Sequence, residues 1–296
     1  MPEHHHKVSG KNLFITIVLN IIITIAQVVG GLLSGSLALL SDAIHNFSDV
    51  LSLVIAYSAN RLSSRPSNSE KTFGYHRAEI IAALLNSSIL IGISIYLIFE
   101  AIHKLYNPEP IHSIWVIGLG MLGIIVNTLS VFIVKDDAKS NMNFKAAYLH
   151  LLADAMTSVA VVFGGVLMYY FNIFWVDSVI TLFIAIYLIW ASFYLVKSSV
   201  FVLMQFVPEG LKMNEIVEVI KAIPQINNVH HIHLWRLDDH RIHLEAHLDF
   251  NENITLNEST DVIDVLEKKL EELFLISHVT FQCEYNRCEN KEIIKT

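Results

Sequence analysis

Two histidine–aspartate pairs have the residue types and the spacing to do chemistry. Asp49 follows His45, and Asp154 follows His150, four positions later in each case. On a helix, this spacing places both side chains on one face, one turn apart. Two such helices side by side would offer two imidazole nitrogens and two carboxylate oxygens to one point, as a tetrahedral metal site. That donor set suits Zn²⁺ and tolerates Co²⁺ or Cd²⁺, whereas Cu⁺ prefers thiolates, and Mg²⁺ and Ca²⁺ prefer oxygen ligands.

Both pairs lie in apolar segments long enough to cross a membrane. The chain has 296 residues, of which 53% are hydrophobic and only 16% charged, against about 25% charged in soluble domains. Crossing the hydrocarbon layer takes roughly 20 apolar residues per helix. Six windows meet or approach this length, and they predict an all-α membrane domain of six transmembrane helices. The windows are 12–33, 80–99, 114–134 and 179–196, which carry no charge, and 37–60 and 146–171, which carry the two pairs.

Ionisable side chains inside a membrane are costly, about 2.5–3.5 kcal/mol each on insertion scales. This cost favours a functional metal site at His45, Asp49, His150 and Asp154. Polar contacts between helices, caps near span ends and a proton relay alone are the alternatives. Asp42 precedes His45 by one turn, and it is interpreted as an outer partner of the metal ligands, an access-path group or a solvated span end. Asp177, just before the sixth window, is expected to be solvated or interfacial.

The distribution of charge predicts the orientation and the domain boundaries. The first 207 residues hold 11 basic and 11 acidic residues, whereas the remainder holds 9 basic and 17 acidic ones. Ten of the basic residues in the first part fall on one side of the predicted spans, and Lys104 alone falls on the other. Basic loops stay in the cytoplasm, so both termini are predicted to be cytoplasmic. We expect an arm over 1–11, a transport domain over 12–207 and a soluble acidic domain over 208–296, with no nucleic-acid partner.

The soluble part has a different periodicity. A short helix is predicted over 213–223, and alternating strands over 228–237 and 241–250. An amphipathic helix follows over 256–274, with Asn257 or Thr255 as its cap and Ile263, Leu266 and Leu270 on its apolar face. A last strand covers 278–285. This α-β-β-α-β order predicts a small α+β domain, near the lower size limit for folding alone, so dimerisation is expected to add core.

Five motifs resemble the cation diffusion facilitator family. Residues 36–49 (SLALLSDAIHNFSD) resemble its second-span signature, and residues 72–79 (TFGYHRAE) and 147–154 (AYLHLLAD) resemble its next two landmarks. Residues 229–235 (VHHIHLW) and 279–284 (VTFQCE) resemble its cytoplasmic domain. The motifs occur in the family's order and cover nearly the whole chain.

The resemblance implies a homodimeric, proton-coupled exporter of divalent metal rather than an enzyme. It implies six spans in the inner (plasma) membrane, in contact with lipid, and a cytoplasmic ferredoxin-like domain. Histidine in both pairs is similar to the zinc-type members, which are associated with metal resistance. Iron- and manganese-type members tend to replace the second-span histidine. Zinc is therefore the expected cargo, with cadmium, cobalt and nickel as secondary ones.

The resemblance also implies a second metal site in the cytoplasmic domain. His230, His247 and Glu284 fall where members of the family hold metal at the dimer interface, and a bound Zn²⁺ is expected there. Gln282 stands where some members have histidine, which argues against a two-metal cluster. The alternates are His231, His233 and His243. Strand alternation would place the first two opposite His230.

Other polar groups carry weaker signals. Asn68, Lys71 and Tyr75 replace ligands that some members of the family have in the loop after the second span, so no metal is expected there. Loose metal capture by His4, His5 and His6 is possible from their types alone, and no disulfide is expected between Cys283 and Cys288 in a reducing compartment. A metal-dependent hydrolase, a metal-gated sensor and a passive channel are the rival functions. The hydrolase would need an open metal position and a general base, and no His-Glu-x-x-His motif is present.

Overall fold

The computed structural model describes residues 10–63, 67–134, 142–238, 241–287 and 293. Within these ranges, the side chains of 10–19, 52–53, 55–61, 63, 133–134 and 142–151 are not described. The described elements are, in chain order, α1 (Gly10–Ser34), α2 (Leu37–Ser63), α3 (Ala78–Tyr106), α4 (Ser113–Val134), α5 (Met142–Phe171), α6 (Trp175–Leu203), α7 (Met213–Lys221), β1 (Ile226–Arg236), β2 (Ile242–Phe250), α8 (Leu256–Phe274) and β3 (His278–Glu284).

The chain divides into two compact units. The helical unit comprises Met1–Ser58 and Ala83–Val196, and the sheet unit comprises Ala59–Ala82 and Lys197–Thr296. The connection between α2 and α3 therefore belongs to the sheet unit. The predicted domain ranges 1–11, 12–207 and 208–296 do not coincide with these compact units, and they stay a prediction about functional domains.

The helices of the first unit have the lengths and the surfaces of membrane helices. Among the described residues, four helices are long and apolar enough to cross a membrane, over Ala78–Tyr106, Ser113–Phe132, Leu152–Phe171 and Trp175–Leu203. Many large apolar side chains face outward, among them Phe99, Phe183 and Trp190, which are 69, 72 and 74% exposed. Such a surface fits lipid rather than water. The prediction of a helical membrane domain is confirmed to this extent, and the number of six spans stays a prediction.

Glycines bring α4 and α5 close together. A Cβ atom on Gly120 of α4 would lie 2.6 Å from a methyl carbon of Val162, and one on Gly165 of α5 would lie 2.9 Å from Ile117. Small residues at such crossings let helix backbones approach in a membrane, where packing rather than water exclusion drives association. The position of α5, which carries Asp154, is set in part by this contact.

The start of α2 is held by a carboxylate from α6. Asp177 accepts hydrogen bonds from the Ser36 hydroxyl and from the backbone N–H groups of Leu37, at 2.7 Å, and Ala38, at 3.3 Å. It thereby satisfies N–H groups that have no partner within the first turn of a helix. The expectation that Asp177 is solvated was wrong, because its side chain is a buried cap for a neighbouring helix.

The sheet unit contains a three-stranded sheet and the helices α7 and α8. The strands lie in the order β1-β2-β3. The central strand β2 is antiparallel to β1 and parallel to β3. Buried apolar residues from α7, α8 and all three strands form one core, including Ile216, Leu244 and Leu266. The predicted element order α-β-β-α-β is observed, with bounds that differ by a few residues.

Two local details of the sheet unit correct the sequence analysis. Thr255 caps α8 in a reciprocal capping box with Glu258, which decides between the two predicted caps. The apolar face of α8 contains Val262, Leu266 and Leu270, whereas the predicted Ile263 is only partly buried. Adjacent helix residues point about 100° apart. The helix therefore buries Val262 and leaves its neighbour Ile263 at the edge of the core.

We expect Asp177→Ala to destabilise the helical unit by about 1–3 kcal/mol, because it leaves buried donors at the start of α2 without an acceptor. Denaturant unfolding of the full chain in detergent, followed by the signal of the helices, measures this loss. Thr181→Val is the control, because its hydroxyl bonds the Asp177 carbonyl oxygen within α6. Equal unfolding midpoints for wild type and Asp177→Ala would show that the cap contributes nothing.

Candidate metal centres

Three ionisable side chains from α2 and α5 meet inside the helical unit. His45 Nε2 lies 3.0 Å from Asp154 Oδ1 and 3.8 Å from Asp49 Oδ2. One nitrogen or oxygen atom from each residue lies within 4.8 Å of the others, as in a group that could hold a metal ion. His45 and Asp154 are 7 and 4% exposed, and Asp49 is partly buried.

The fourth residue predicted for this group is His150. It lies on α5 one turn before Asp154, but its side chain falls outside the described residues. The described part of the chain therefore brings together three of the four predicted residues. Tyr187 of α6 adds an aromatic edge against the His45 ring, with the ring centroids 6.3 Å apart.

The charge balance of this group favours a cation. Two carboxylates and one imidazole share a site between apolar helices, where a lone ionised group is expensive. A divalent ion between them would compensate both negative charges and use the imidazole as a neutral ligand. Without a metal, a proton between His45 Nε2 and Asp154 Oδ1 can bridge the same two atoms, since they lie at hydrogen-bond distance.

Asp42 lies beside this group but is not among its ligand atoms. Its carboxylate accepts hydrogen bonds from Gln27, Thr157 and Ser158. Of the interpretations drawn from the sequence, the solvated span end is wrong, because Asp42 is 0% exposed.

A second group of possible ligands lies on the sheet. His247 Nδ1 is 3.0 Å from Glu284 Oε1, and His230 Nε2 is 3.5 Å from Glu284 Oε2. Cross-strand pairing explains this meeting, because His230 is opposite His247 on the antiparallel side and Glu284 is opposite Asp249 on the parallel side. One ligand atom of each of the three residues lies within 4.8 Å of the others.

The polar atoms of this second group are incompletely satisfied. Both ring nitrogens of His230 and Glu284 Oε2 are buried without a hydrogen bond to a described residue. Buried polar atoms usually have a partner, so a cation bound between them would account for these vacancies. Gln282 donates from Nε2 to Glu284 Oε1 at 2.6 Å, and it thereby holds the carboxylate rather than adding a nitrogen ligand.

A bulge in β1 changes the expected order of its histidines. His231 has φ of 52°, and the strand register shifts between His230 and His233. As a result, the rings of both His230 and His231 lie against His247, at centroid distances of 5.3 and 4.6 Å. The prediction that His231 lies opposite His230 was wrong in this respect, because alternation fails across a bulge. The exposed His233 remains near His231, at 5.1 Å.

His243 lies in a different cluster. Its ring stacks on Trp235, contacts Phe73 by an edge, and lies 5.0 Å from the ring of His278. His243 is thus an aromatic packing residue at the other end of β2, away from the group around Glu284.

The sequence analysis missed a polar contact between the α2–α3 connection and the sheet. His76 Nδ1 lies 3.3 Å from Asp238 Oδ2, and Arg241 Nη1 lies 2.9 Å from His76 Nε2. Both ring nitrogens of His76 therefore have a polar partner within the sheet unit. Spacing alone gave no signal, since His76 is more than 160 residues from its partners.

The weaker candidates for metal ligation either contact other residues or lie outside the described residues. Lys71 Nζ donates to Tyr75 Oη at 2.6 Å, and Asn68 forms a backbone bridge with Lys71. Cys283 is an exposed free cysteine. His4, His5, His6 and Cys288 lie outside the described residues.

Comparison with known proteins decides the family. Residues 13–204 match the family model described as the cation efflux transmembrane domain, and residues 208–286 match the cytoplasmic domain of cation efflux proteins. The chain belongs to the cation diffusion facilitator family. The resemblance drawn from the motifs is confirmed, and the chain is a membrane cation-efflux protein rather than a member of an enzyme family.

Its curated relatives are similar over almost their whole length. The cadmium, cobalt and zinc/H(+)-K(+) antiporter of Bacillus subtilis is 35% identical over 95% of this chain and 91% of its own. The metal cation efflux system protein CzcD of Cupriavidus metallidurans is 35% identical over 98% of this chain and 92% of its own. The zinc transporter ZitB of Escherichia coli is 29% identical over 90% of this chain and 85% of its own.

We expect His243 to have a pKa below the ordinary value of 6.5. Burial lowers its pKa most, and the electrostatic effects of His278 and Arg241 lower it further, against the opposite effect of Asp238. Arg241→Gln should therefore raise the pKa of His243 toward 6.5. An NMR titration of the full chain with labelled histidine, assigned by His243→Asn, measures it.

Lys212→Gln is the control for this titration, because Lys212 is an exposed cation that pairs with Glu215. A His243 pKa at or above 6.5, or one that responds equally to both substitutions, would contradict the assignment of burial and Arg241 as its causes.

Proposed function

We propose that this protein exports Zn²⁺ from the cytoplasm in exchange for protons, by alternating access. The observation that carries the proposal is the group of His45, Asp49 and Asp154, whose ligand atoms lie within 4.8 Å of one another between α2 and α5. His150, one turn from Asp154, supplies the fourth ligand in this proposal. Four donors close the coordination of zinc and leave no position for the activated water that a hydrolase requires.

The proposed topology has six spans, α1 to α6, in the inner (plasma) membrane, with both termini cytoplasmic. The long apolar helices and the excess of lysine and arginine on one side support it. The transport domain then covers 12–207, and the cytoplasmic domain, proposed to be ferredoxin-like, covers 208–296.

Coupling follows from competition for the same atoms. Histidine and aspartate bind metal only when deprotonated, so protons and Zn²⁺ compete for the site. A histidine can exchange its proton for a metal near neutral pH. Facing the cytoplasm, the site takes Zn²⁺; facing outward, protonation of at least one ligand releases it, and the inward proton gradient drives the return.

Zinc is the proposed cargo because the described donors are one imidazole and two carboxylates, with a second imidazole from His150. The names of the Bacillus subtilis and Escherichia coli relatives include zinc, and the former also includes cadmium and cobalt. Cadmium, cobalt and nickel are therefore proposed as secondary cargo.

A resident Zn²⁺ at His230, His247 and Glu284 is the second part of the proposal. The buried, unbonded atoms of His230 and Glu284 fit a cation held there. Bound metal supplies a cross-link among β1, β2 and β3. The proposed assembly is a homodimer, supported by the match to the cytoplasmic domain of the family, and metal on these residues would tighten it.

We expect Asp49→Ala and Asp154→Ala to lower zinc transport by at least about 100-fold, since each removes a proposed ligand and leaves a deficient site. Proteoliposomes with a zinc indicator and a pH-sensitive dye measure both fluxes. Glu109→Gln is the control, because this exposed carboxylate pairs with Lys104 outside the group. Wild-type zinc and proton fluxes in either alanine variant would overturn the transport site.

The same vesicles test the cargo and the coupling. We expect the order Zn²⁺ ahead of Mn²⁺ and Fe²⁺, with Cd²⁺ and Co²⁺ moved measurably, and a proton flux that accompanies each metal. Strong Mn²⁺ or Fe²⁺ transport with weak Zn²⁺ transport would contradict the cargo. Zinc movement without any proton flux would indicate a passive channel.

For the cytoplasmic site, we expect His230→Asn and Glu284→Gln to lower the zinc bound per protomer by one equivalent while leaving measurable transport. Equilibrium dialysis of the purified full chain gives the stoichiometry. His233→Asn is the matched control, because it is an exposed histidine on the same strand. An unchanged stoichiometry in both site variants would remove the resident metal from the proposal.

A further inference from the structure

The buried carboxylate of Asp42 accepts hydrogen bonds from three side chains beside the proposed transport site. Thr157 Oγ1 lies 2.9 Å from Asp42 Oδ1, and Ser158 Oγ and Gln27 Nε2 each lie 3.1 Å from Asp42 Oδ2. The donors come from α5 and α1, and Asp42 itself lies on α2. One carboxylate thus joins three helices.

The network continues to both segments that carry proposed ligands. Gln27 Oε1 accepts from Asn46 Nδ2 at 3.2 Å, and Asn46 directly follows His45. Thr157 Oγ1 also lies 2.8 Å from the carbonyl oxygen of Asp154. A hydroxyl has one proton, so Thr157 shares it between Asp42 and the backbone of a proposed ligand.

Helix packing alone does not explain a carboxylate here. A serine or asparagine could bond the same neighbours at a much lower cost of burial than an acid. Asp42 is also absent from the group of possible ligands, and three of the lone pairs on its two oxygens already accept hydrogen bonds. The Asp42 carboxylate is therefore placed to orient its three hydrogen-bond donors beside the site, and not to bind the cargo.

The fourth helix leaves room for this network. A Cβ atom on Gly123 of α4 would lie 2.7 Å from Gln27 Nε2 and 3.2 Å from Ser158 Oγ. Any larger residue at position 123 would press on two of the three donors of Asp42. The glycine and the acid are thus parts of one arrangement.

We propose that Asp42 is a positioning residue that fixes α2 against α5, and thereby sets the affinity and the size selectivity of the transport site for Zn²⁺. This inference rests on the proposed function. Fixed helix positions hold His45, Asp49 and Asp154 at the short spacing that a small tetrahedral ion requires. When the network is loosened, the ligand atoms separate, and a larger cation such as Cd²⁺ loses less affinity than Zn²⁺ does.

The experiment compares Asp42→Asn, Thr157→Val and Gly123→Ala in the full chain in proteoliposomes. We expect KM for Zn²⁺ to rise about tenfold, in line with the effect of removing outer partners of metal ligands, while kcat changes much less. The ratio of kcat/KM for Cd²⁺ to that for Zn²⁺ should rise in all three variants. Thr157→Ser, which keeps the hydroxyl, should recover most of the affinity that Thr157→Val loses.

Ser41→Ala is the matched control. Ser41 is a fully buried polar residue beside Asp42, and its hydroxyl bonds the Leu37 carbonyl oxygen within α2. It should keep the wild-type KM and the wild-type ratio of the two metals. Gly123→Ala keeps every polar group of the network, so it tests the geometry even if Asp42→Asn fails to fold.

Three results separate this inference from the proposed function. Wild-type KM and selectivity in Asp42→Asn and Gly123→Ala would overturn the positioning role while leaving the transport site intact. A loss of one bound Zn²⁺ at saturation in Asp42→Asn would overturn it in favour of direct ligation. Wild-type transport by Asp49→Ala would remove the site itself, and the positioning role with it.

Discussion

The helical unit depends on holding His45 against Asp154 between helices that are otherwise apolar. Such a contact opposes the preference of the surroundings for neutral groups, so the structure must fix both helices from elsewhere. Asp177 anchors the start of α2 on α6, and Asp42 ties the second turn of α2 to α1 and α5. Gly120 and Gly165 let α4 approach α5. None of these contacts uses a ligand atom of the group, and together they fix α2 and α5 against their neighbours.

Charge balance links this arrangement to transport. Two carboxylates beside one imidazole repel each other in a medium of low dielectric constant, so a cation between them is favoured. In the proposed mechanism, a proton and a divalent cation compete for these residues, because both use the same lone pairs. The surface charge of the cytoplasmic part acts in the same direction, since an excess of acidic residues raises the local concentration of cations.

The elements were predictable, and several of their contacts were not. Apolar windows indicate helices because length and hydropathy are local properties, and each of the six predicted windows lies within one observed helix. The pairing of His45 with Asp154 followed from spacing on two helices, whereas the capping of α2 by Asp177 joins residues about 140 positions apart. The bulge at His231 needed a left-handed backbone at a residue with a side chain, which no turn motif announced. The exchange of Ile263 for Val262 in the core shows the same limit on a smaller scale, since both are apolar and adjacent.

Helix α2 and its connection to α3 are divided between the two units. Helix α2 begins in the helical unit, and its last residues, with the segment up to Ala82, belong to the sheet unit. Within that unit, His76 bonds Asp238 and Arg241, and Phe73 packs against His243. These contacts are directional but partly exposed, and such contacts contribute little stability individually. Helix α2 thus carries His45 and Asp49 within the helical unit and ends within the sheet unit, so one helix is a covalent part of both units.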